Sequence, residues 1–186
     1  MKNIYKVFLL IFISIFLISC KDNGKRAFEN DYQMFKGEEH VFRKVDYDTM
    51  YQEFTKSTEH RVIVFAFDPD LYECPYCMLL LPIMNEVALE EGLKEILYFD
   101  VYEMRKDRTN EYVDLVEFIT SQTDLEIRND LHEIVVPDIY LVKDGKIISH
   151  HIATFKDEEG RFILNLTEAE KEEIKSIYRD MFKKVN

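Results

Sequence analysis

Glycine is scarce, with five residues in a chain of 186. That leaves little room for a glycine-rich loop that cradles phosphate. Positive charge is scarce as well. Thirty-six acidic side chains outnumber 24 basic ones, and the formal charge is −12. A general affinity for nucleic acid does not fit that balance. No cluster of Lys and Arg is dense enough to act as a polybasic membrane patch. The acidic runs Lys156–Gly160 and Glu168–Glu173 read as solvated surface. Nothing marks a nucleophile elbow for serine chemistry. Apolar material is plentiful by contrast. It makes up 47% of the chain, with 13% aromatic, enough for the core of one domain.

Long apolar runs are few, and the first is at the N-terminus. Lys2 and Lys6 precede Val7 to Ile18, which is interrupted by Ser14 alone. Such a run is short for a membrane span and suits a secretory signal. Leu17-Ile18-Ser19-Cys20 then resembles the bacterial lipobox. That resemblance implies a signal peptide over 1–19 and a lipid on Cys20, the first residue of the mature chain. Cys20 would be consumed as a thioether, leaving Cys74 and Cys77 as the remaining cysteines. Loss of Lys2 and Lys6 takes the charge from −12 to −14. The mature chain is then expected at the bacterial cell membrane, on its extracytoplasmic or periplasmic face, where disulfides persist. Residues 20–44 read as the lipidated cysteine and a polar tether.

From residue 45 onward the pattern is that of an α/β domain. Tyr47–Ser57 suits a helix, and Arg61–Phe67 is a strand buried on both faces. A helix runs from Cys74 to Glu91, with Pro75 at its start, Gly92 as its stop and Pro82 as a kink. Glu95–Val101 reads as a second strand. The stretch 104–135 reads as a helical insert, with helices over Glu111–Thr120 and Leu125–Ile134. Ile139–Val142 and Ile147–Ile152 are strands joined by an Asp144-Gly145 turn. Thr167 to Glu170 is a capping box. The helix it opens carries Ile174, Ile177, Tyr178, Met181 and Phe182 on one face. The sheet is therefore mixed, parallel first and then an antiparallel hairpin.

The chemistry points to the stretch ECPYC, from Glu73 to Cys77. Thiol exchange needs a thiolate, and Cys74 stands where a helix N-terminus favours negative charge. Cys77 lies one turn further in, close enough to close a disulfide. Cys74 is then the attacking or attacked sulfur, and Cys77 the sheltered one that resolves the mixed disulfide. Asp68, Asp70 and Glu73 oppose the thiolate. Their number favours a moderately reducing or isomerase-like couple, with Glu73 and Asp68 as candidates for tuning it.

The surrounding residues resemble the thioredoxin superfamily. The cysteine pair follows a buried strand and opens a helix that carries Pro82 five residues later. Val135-Val136-Pro137 precedes a strand, and Gly145 follows eight residues after Pro137. In that family a cis-proline faces the cysteines at this spacing. CPYC itself is similar to glutaredoxins, and CPYCMLLLPIMNEVA is similar to extracytoplasmic proteins of the bacteriocin transport accessory type. The resemblance runs from about Tyr47 to the C-terminus. It implies a thioredoxin-like mixed sheet flanked by helices, with the insert before the cis-Pro strand. It implies a thiol–disulfide oxidoreductase that needs no cofactor beyond the Cys74–Cys77 disulfide. Val136 and Pro137, with Pro75 and Tyr76, are its substrate-binding residues. The partners implied are extracytoplasmic protein thiols or disulfides and an electron donor or acceptor, with the chain a monomer held to the membrane through Cys20. The chain departs from the family in two ways. It has no tryptophan, and Glu73 stands where an aromatic precedes the first cysteine. The acid on the strand before the motif has Asp68 as a loose counterpart.

Two other readings stay open at this point. Cys74 and Cys77 with His132, or with His150 and His151, match the ligand types of a copper or zinc site. A non-catalytic thioredoxin-like binding or transport-accessory module needs no active cysteine at all.

Overall fold

The computed structural model describes residues 23–128, 130–152, 155 and 163–185. The expected signal peptide over 1–19 and the expected lipid site at Cys20 fall outside them. Strand β2 (Arg61–Ala66) occupies the centre of a five-stranded sheet, with every residue after Arg61 buried. Parallel to it on one side lies β3 (Ile96–Asp100), and β1 (Phe42–Lys44) pairs parallel beyond that. On the other side runs β6 (Asp138–Lys143), antiparallel, followed by β7 (Lys146–Ile152) at the edge. The sheet is mixed as its sequence pattern indicates.

Strand periodicity sorts the helices onto two faces. Phe65 and Tyr140 point to one side, where Phe54 of α2 (Tyr47–Lys56) packs edge-on against both rings. Phe118 of α5 (Asn110–Thr120) closes over Phe54. His151 and Ile139, one residue out of phase, face the opposite side. There His151 meets Tyr178 of α6 (Glu168–Phe182). Helix α6 packs in turn on α3 (Pro75–Glu90), joined by Lys175 to Glu86 at 2.7 Å and Arg179 to Glu90 at 3.0 Å. The capping box at Thr167 and Glu170 opens α6 as expected. Helix α3 continues through Pro82, where the Met78 carbonyl loses its intrahelical donor. The β6–β7 turn holds Asp144 at φ 51° and Gly145 at φ 68°. A Cβ on Gly145 would lie 2.5 Å from the Thr55 carbonyl oxygen, so glycine serves both the turn and the close approach.

Two expectations are corrected. The described part of the tether is folded. Residues 23–31 form a helix, α1, and a 3-10 turn covers Gln33–Phe35 before β1. Phe28, Tyr32 and Phe42 are fully buried, with Phe28 5.1 Å from the Tyr32 ring and 4.6 Å from the Phe42 ring. Asn85 of α3 anchors the segment: its Oδ1 accepts the Val41 N–H at 3.1 Å, and its Nδ2 donates to the Glu39 carbonyl at 3.0 Å. Phe28, Tyr32 and Phe35 recur at helical spacing, but charged neighbours surround them and mask the stripe.

The second correction concerns the insert. Its first part is helical, with a short α4 (Tyr102–Asp107) ahead of α5. Its second part is a hairpin instead of a helix: β4 (Glu126–Arg128) pairs antiparallel with β5 (Leu131–Glu133). Asp130 turns it at φ 63°, a conformation that aspartate tolerates better than most residues. Ile127 and Leu131 are exposed on this hairpin. It buries too little apolar surface to leave a periodic signature. The whole is a thioredoxin-like mixed sheet flanked by helices, read from its own strand order and connections.

Candidate active site

Strand β2 delivers the chain to Phe67 and the Asp68 turn. The Asp68 carbonyl accepts the N–H groups of Leu71 and Tyr72, both at 3.0 Å, and its Oδ1 accepts that of Asp70 at 3.0 Å. This tight reversal sets Cys74 as the N-cap of α3. The Cys74 Sγ accepts the Cys77 N–H at 3.2 Å, and its carbonyl accepts that of Met78 at 3.1 Å. Pro75 follows at the first helical position, where no N–H is needed. Cys74 and Cys77 form a disulfide, with Cα atoms 5.3 Å apart. Cys77 has no exposed surface and Cys74 is 6% exposed, so an incoming group reaches Cys74 first.

Opposite stands the strand leading into β6. The Val136–Pro137 bond is cis, and the Val136 carbonyl oxygen lies 3.9 Å from the Cys74 Sγ. Pro137 is buried behind it. A cavity of about 720 Å³ opens beside the disulfide. Glu73, Cys74, Pro75, Tyr76 and Val136 line it, as do Phe67, Tyr72 and Tyr102. The Tyr76 hydroxyl donates to the Phe155 carbonyl at 3.0 Å, and burial raises its pKa. Four basic side chains, Arg105, Lys106, Arg108 and Arg128, also reach the lining.

The two tuning candidates part company. Glu73 is exposed on the cavity wall. Asp68 is half-buried and turned away, with its Oδ2 3.8 Å from the Lys44 Nζ. Lys44 also pairs with Asp31 at 2.5 Å. Desolvation raises the pKa of both Asp31 and the neighbouring Asp100. Asp70 does not line the cavity either. The acid-dominated surroundings expected from the local sequence are therefore offset by cations from the insert.

The histidines named as metal ligands lie apart. His132 is exposed on β5. His150 Nε2 lies 2.6 Å from the Asp138 Oδ1, and His151 packs against Tyr178 with its pKa lowered by burial. Among the described residues, no group of three His, Cys, Asp or Glu side chains is arranged to hold a metal ion.

One buried acid had no place in the sequence expectations. Asp138, directly after Pro137, is completely buried and accepts the Tyr140 hydroxyl at 2.6 Å. Burial pushes its carboxyl up to about 6, against the partial opposition of His150 and Tyr140. An acid inside the apolar run VVPDIYLV is the mark that would have found it. The cations and Tyr102 carry no local mark, because the tertiary fold alone brings them to the cysteines.

No protein-family model matches the chain, and no curated protein matches it. Among solved structures it is similar to a thioredoxin from Trypanosoma brucei brucei. The identity is 14% over 79% of this chain and 96% of that one, with a TM-score of 0.45. It is also similar to a chain from a study of the thiol resolving mechanism in yeast mitochondrial 1-Cys peroxiredoxin. There the identity is 17% over 59% of this chain and 80% of that one, with a TM-score of 0.37.

Proposed function

We propose that the chain is a thiol–disulfide oxidoreductase working through Cys74 and Cys77. The observation that carries this reading is the placement of the pair. Cys74, the less buried of the two, caps a helix and lines a cavity, and its bonded partner Cys77 is fully buried behind it. A substrate thiolate attacks the Cys74 Sγ, the Cys74–Cys77 bond breaks, and Cys77 leaves as a thiolate that takes a proton. A second substrate thiolate then attacks the substrate sulfur of the mixed disulfide. Cys74 departs as a thiolate, which the helix N-terminus stabilises. Two electrons pass to the cysteine pair and the substrate gains a disulfide. The same steps in reverse reduce a substrate disulfide, and an external dithiol or disulfide resets the pair.

The finer parts of the proposal rest on the sequence. A lipid on Cys20 tethers the chain outside the cytoplasm, as in the lipoproteins it resembles, so secreted or envelope proteins are its substrates. The Val136 carbonyl and the surfaces of Pro75 and Tyr76 receive the substrate segment beside Cys74. A binding or transport-accessory module is the second reading, favoured by the exposed Tyr72, Leu131 and Leu164 around the cavity. A Cys74→Ser protein separates the two, because a binding module keeps its effect and an oxidoreductase loses it.

The direct test is a redox titration against dithiothreitol couples, read by mass after thiol alkylation. We expect one two-electron transition in which both cysteines become alkylated together. A folded protein whose pair never opens under these reductants would overturn the proposal.

A further inference from the structure

The insert brings an unusual charge to the cysteines. The chain as a whole carries −12. The cavity lining reverses that sign: Arg105, Lys106, Arg108 and Arg128 face Glu73 and Glu133, four positive against two negative. All four cations come from α4, its C-cap Arg108 and the β4–β5 hairpin.

They are not equivalent. Arg105 is committed to the fold, donating to the Ile134 carbonyl at 3.1 Å and pairing with Glu133 at 3.2 Å. It thereby ties α4 to the hairpin and fixes the wall. Lys106 and Arg128 pair with Glu103 and Glu126, close neighbours in their own elements. Such surface pairs are weak and exchange readily for another carboxylate. Arg108 stands over the Tyr112 ring at 5.7 Å and has no ion-pair partner among the described residues. A carboxylate entering the cavity therefore finds one cation without such a partner and two loosely paired ones.

The same cavity has an apolar platform. Tyr72 stacks on Tyr102 at 5.4 Å, and Phe67 meets both rings edge-on at 5.6 and 5.3 Å. Tyr72 is nevertheless 53% exposed, with Leu131 and Leu164 exposed nearby on the lining. Exposed aromatic and aliphatic surface of this kind marks a contact site. Arg105 lies over the Phe67 ring at 5.2 Å and Lys106 over the Tyr102 ring at 5.7 Å, so the platform and the cations share one wall of the cavity that Cys74 also lines.

We infer that the wall formed by α4 and the β4–β5 hairpin selects acidic polypeptide segments. The preferred segment carries an aromatic or aliphatic residue beside its cysteine, seated on the Tyr72–Tyr102 platform, and a carboxylate that reaches Arg108. Arg108 and Arg128 are specificity residues in this reading, which rests on the proposed exchange at Cys74.

The test uses the oxidised full chain and three nine-residue peptides, each with one reduced cysteine. The first has Glu flanks and a Phe next to Cys. The second replaces Glu with Lys, and the third replaces Phe with Gly. The rate of mixed-disulfide formation is divided by each peptide's own rate with hydroxyethyl disulfide, which removes differences in thiol reactivity. At low salt the Glu–Phe peptide is expected to react about tenfold faster than the Lys–Phe peptide. It should also outpace the Gly peptide. The charge preference should shrink in high salt, become intermediate in Arg108→Gln, and collapse in Arg108→Glu with Arg128→Glu. Equal normalised rates for the three peptides, or a charge preference that survives both charge reversals, would overturn the inference. β-Mercaptoethanol, which has neither charge nor aromatic group, reports on the wild-type disulfide alone. If it fails to open that disulfide, the exchange chemistry falls, and the selection built on it falls too.

Discussion

At the scale of single residues, Asp138 has the most to say about pH. Its carboxyl sits at about 6 in the folded chain, against an ordinary value of 3.8. Between those values the folded state keeps a proton that the unfolded state has released. The stability this contributes is complete below the ordinary value and is lost as pH rises through about 6. His150 faces the carboxyl from β7 and Tyr140 from its own strand. An Asp138→Asn protein has no proton to release there. We expect the stability of the wild type relative to that variant to fall by about 1.4 kcal/mol per pH unit between roughly pH 4 and 6. Denaturant melts across that range read the difference directly, and a flat difference would refute it. The same residue sets a limit on sequence reading. A buried acid beside Pro137 can be noticed in the sequence, but its partner on β7 cannot.

Among the elements, α1 and the β4–β5 hairpin diverge most from what local pattern conveys. Helix α1 and the turn after it bury Phe28, Tyr32 and Phe35 among charged and polar neighbours, so average polarity outweighs periodicity in the sequence. Its strand partner β1 has only three residues, Phe42 to Lys44, too few to declare a strand. If these elements belong to the core, Phe28→Ala should destabilise the domain by about 3–5 kcal/mol. A tether residue would cost less than about 0.5 kcal/mol. Thermal or urea unfolding of the single variant decides between the two. The hairpin illustrates the opposite failure. Leu125, Ile127, Leu131 and Ile134 are spaced loosely enough to suit a short helix. Asp130 at positive φ and the exposed Ile127 instead make a two-stranded wall whose value lies in its position beside Cys74.

Over the whole molecule, the legible parts are those written by burial and by backbone punctuation. The apolar run of β2, the Cys74–Pro75 start of α3, the Gly145 turn and the Thr167 capping box all sit where the sequence places them. The cysteine pair and Pro137 also meet across the sheet, as the resemblance of their surrounding motifs implied and as no feature of chain spacing alone conveys. The cavity was not legible in the same way. Its cations lie some thirty or more residues from Cys74 in the chain, and charge carries no periodicity that would reveal where they converge. The account as a whole depends on the division of labour between the two sulfurs. The most direct measurement is a trap: a Cys77→Ser protein produced in its native cells, followed by non-reducing electrophoresis and mass spectrometry. The account predicts mixed disulfides between Cys74 and cysteines of other proteins, released by dithiothreitol and absent from the Cys74→Ser protein. A Cys77→Ser protein that captures nothing, while the wild-type pair still cycles between thiols and disulfide, would contradict it.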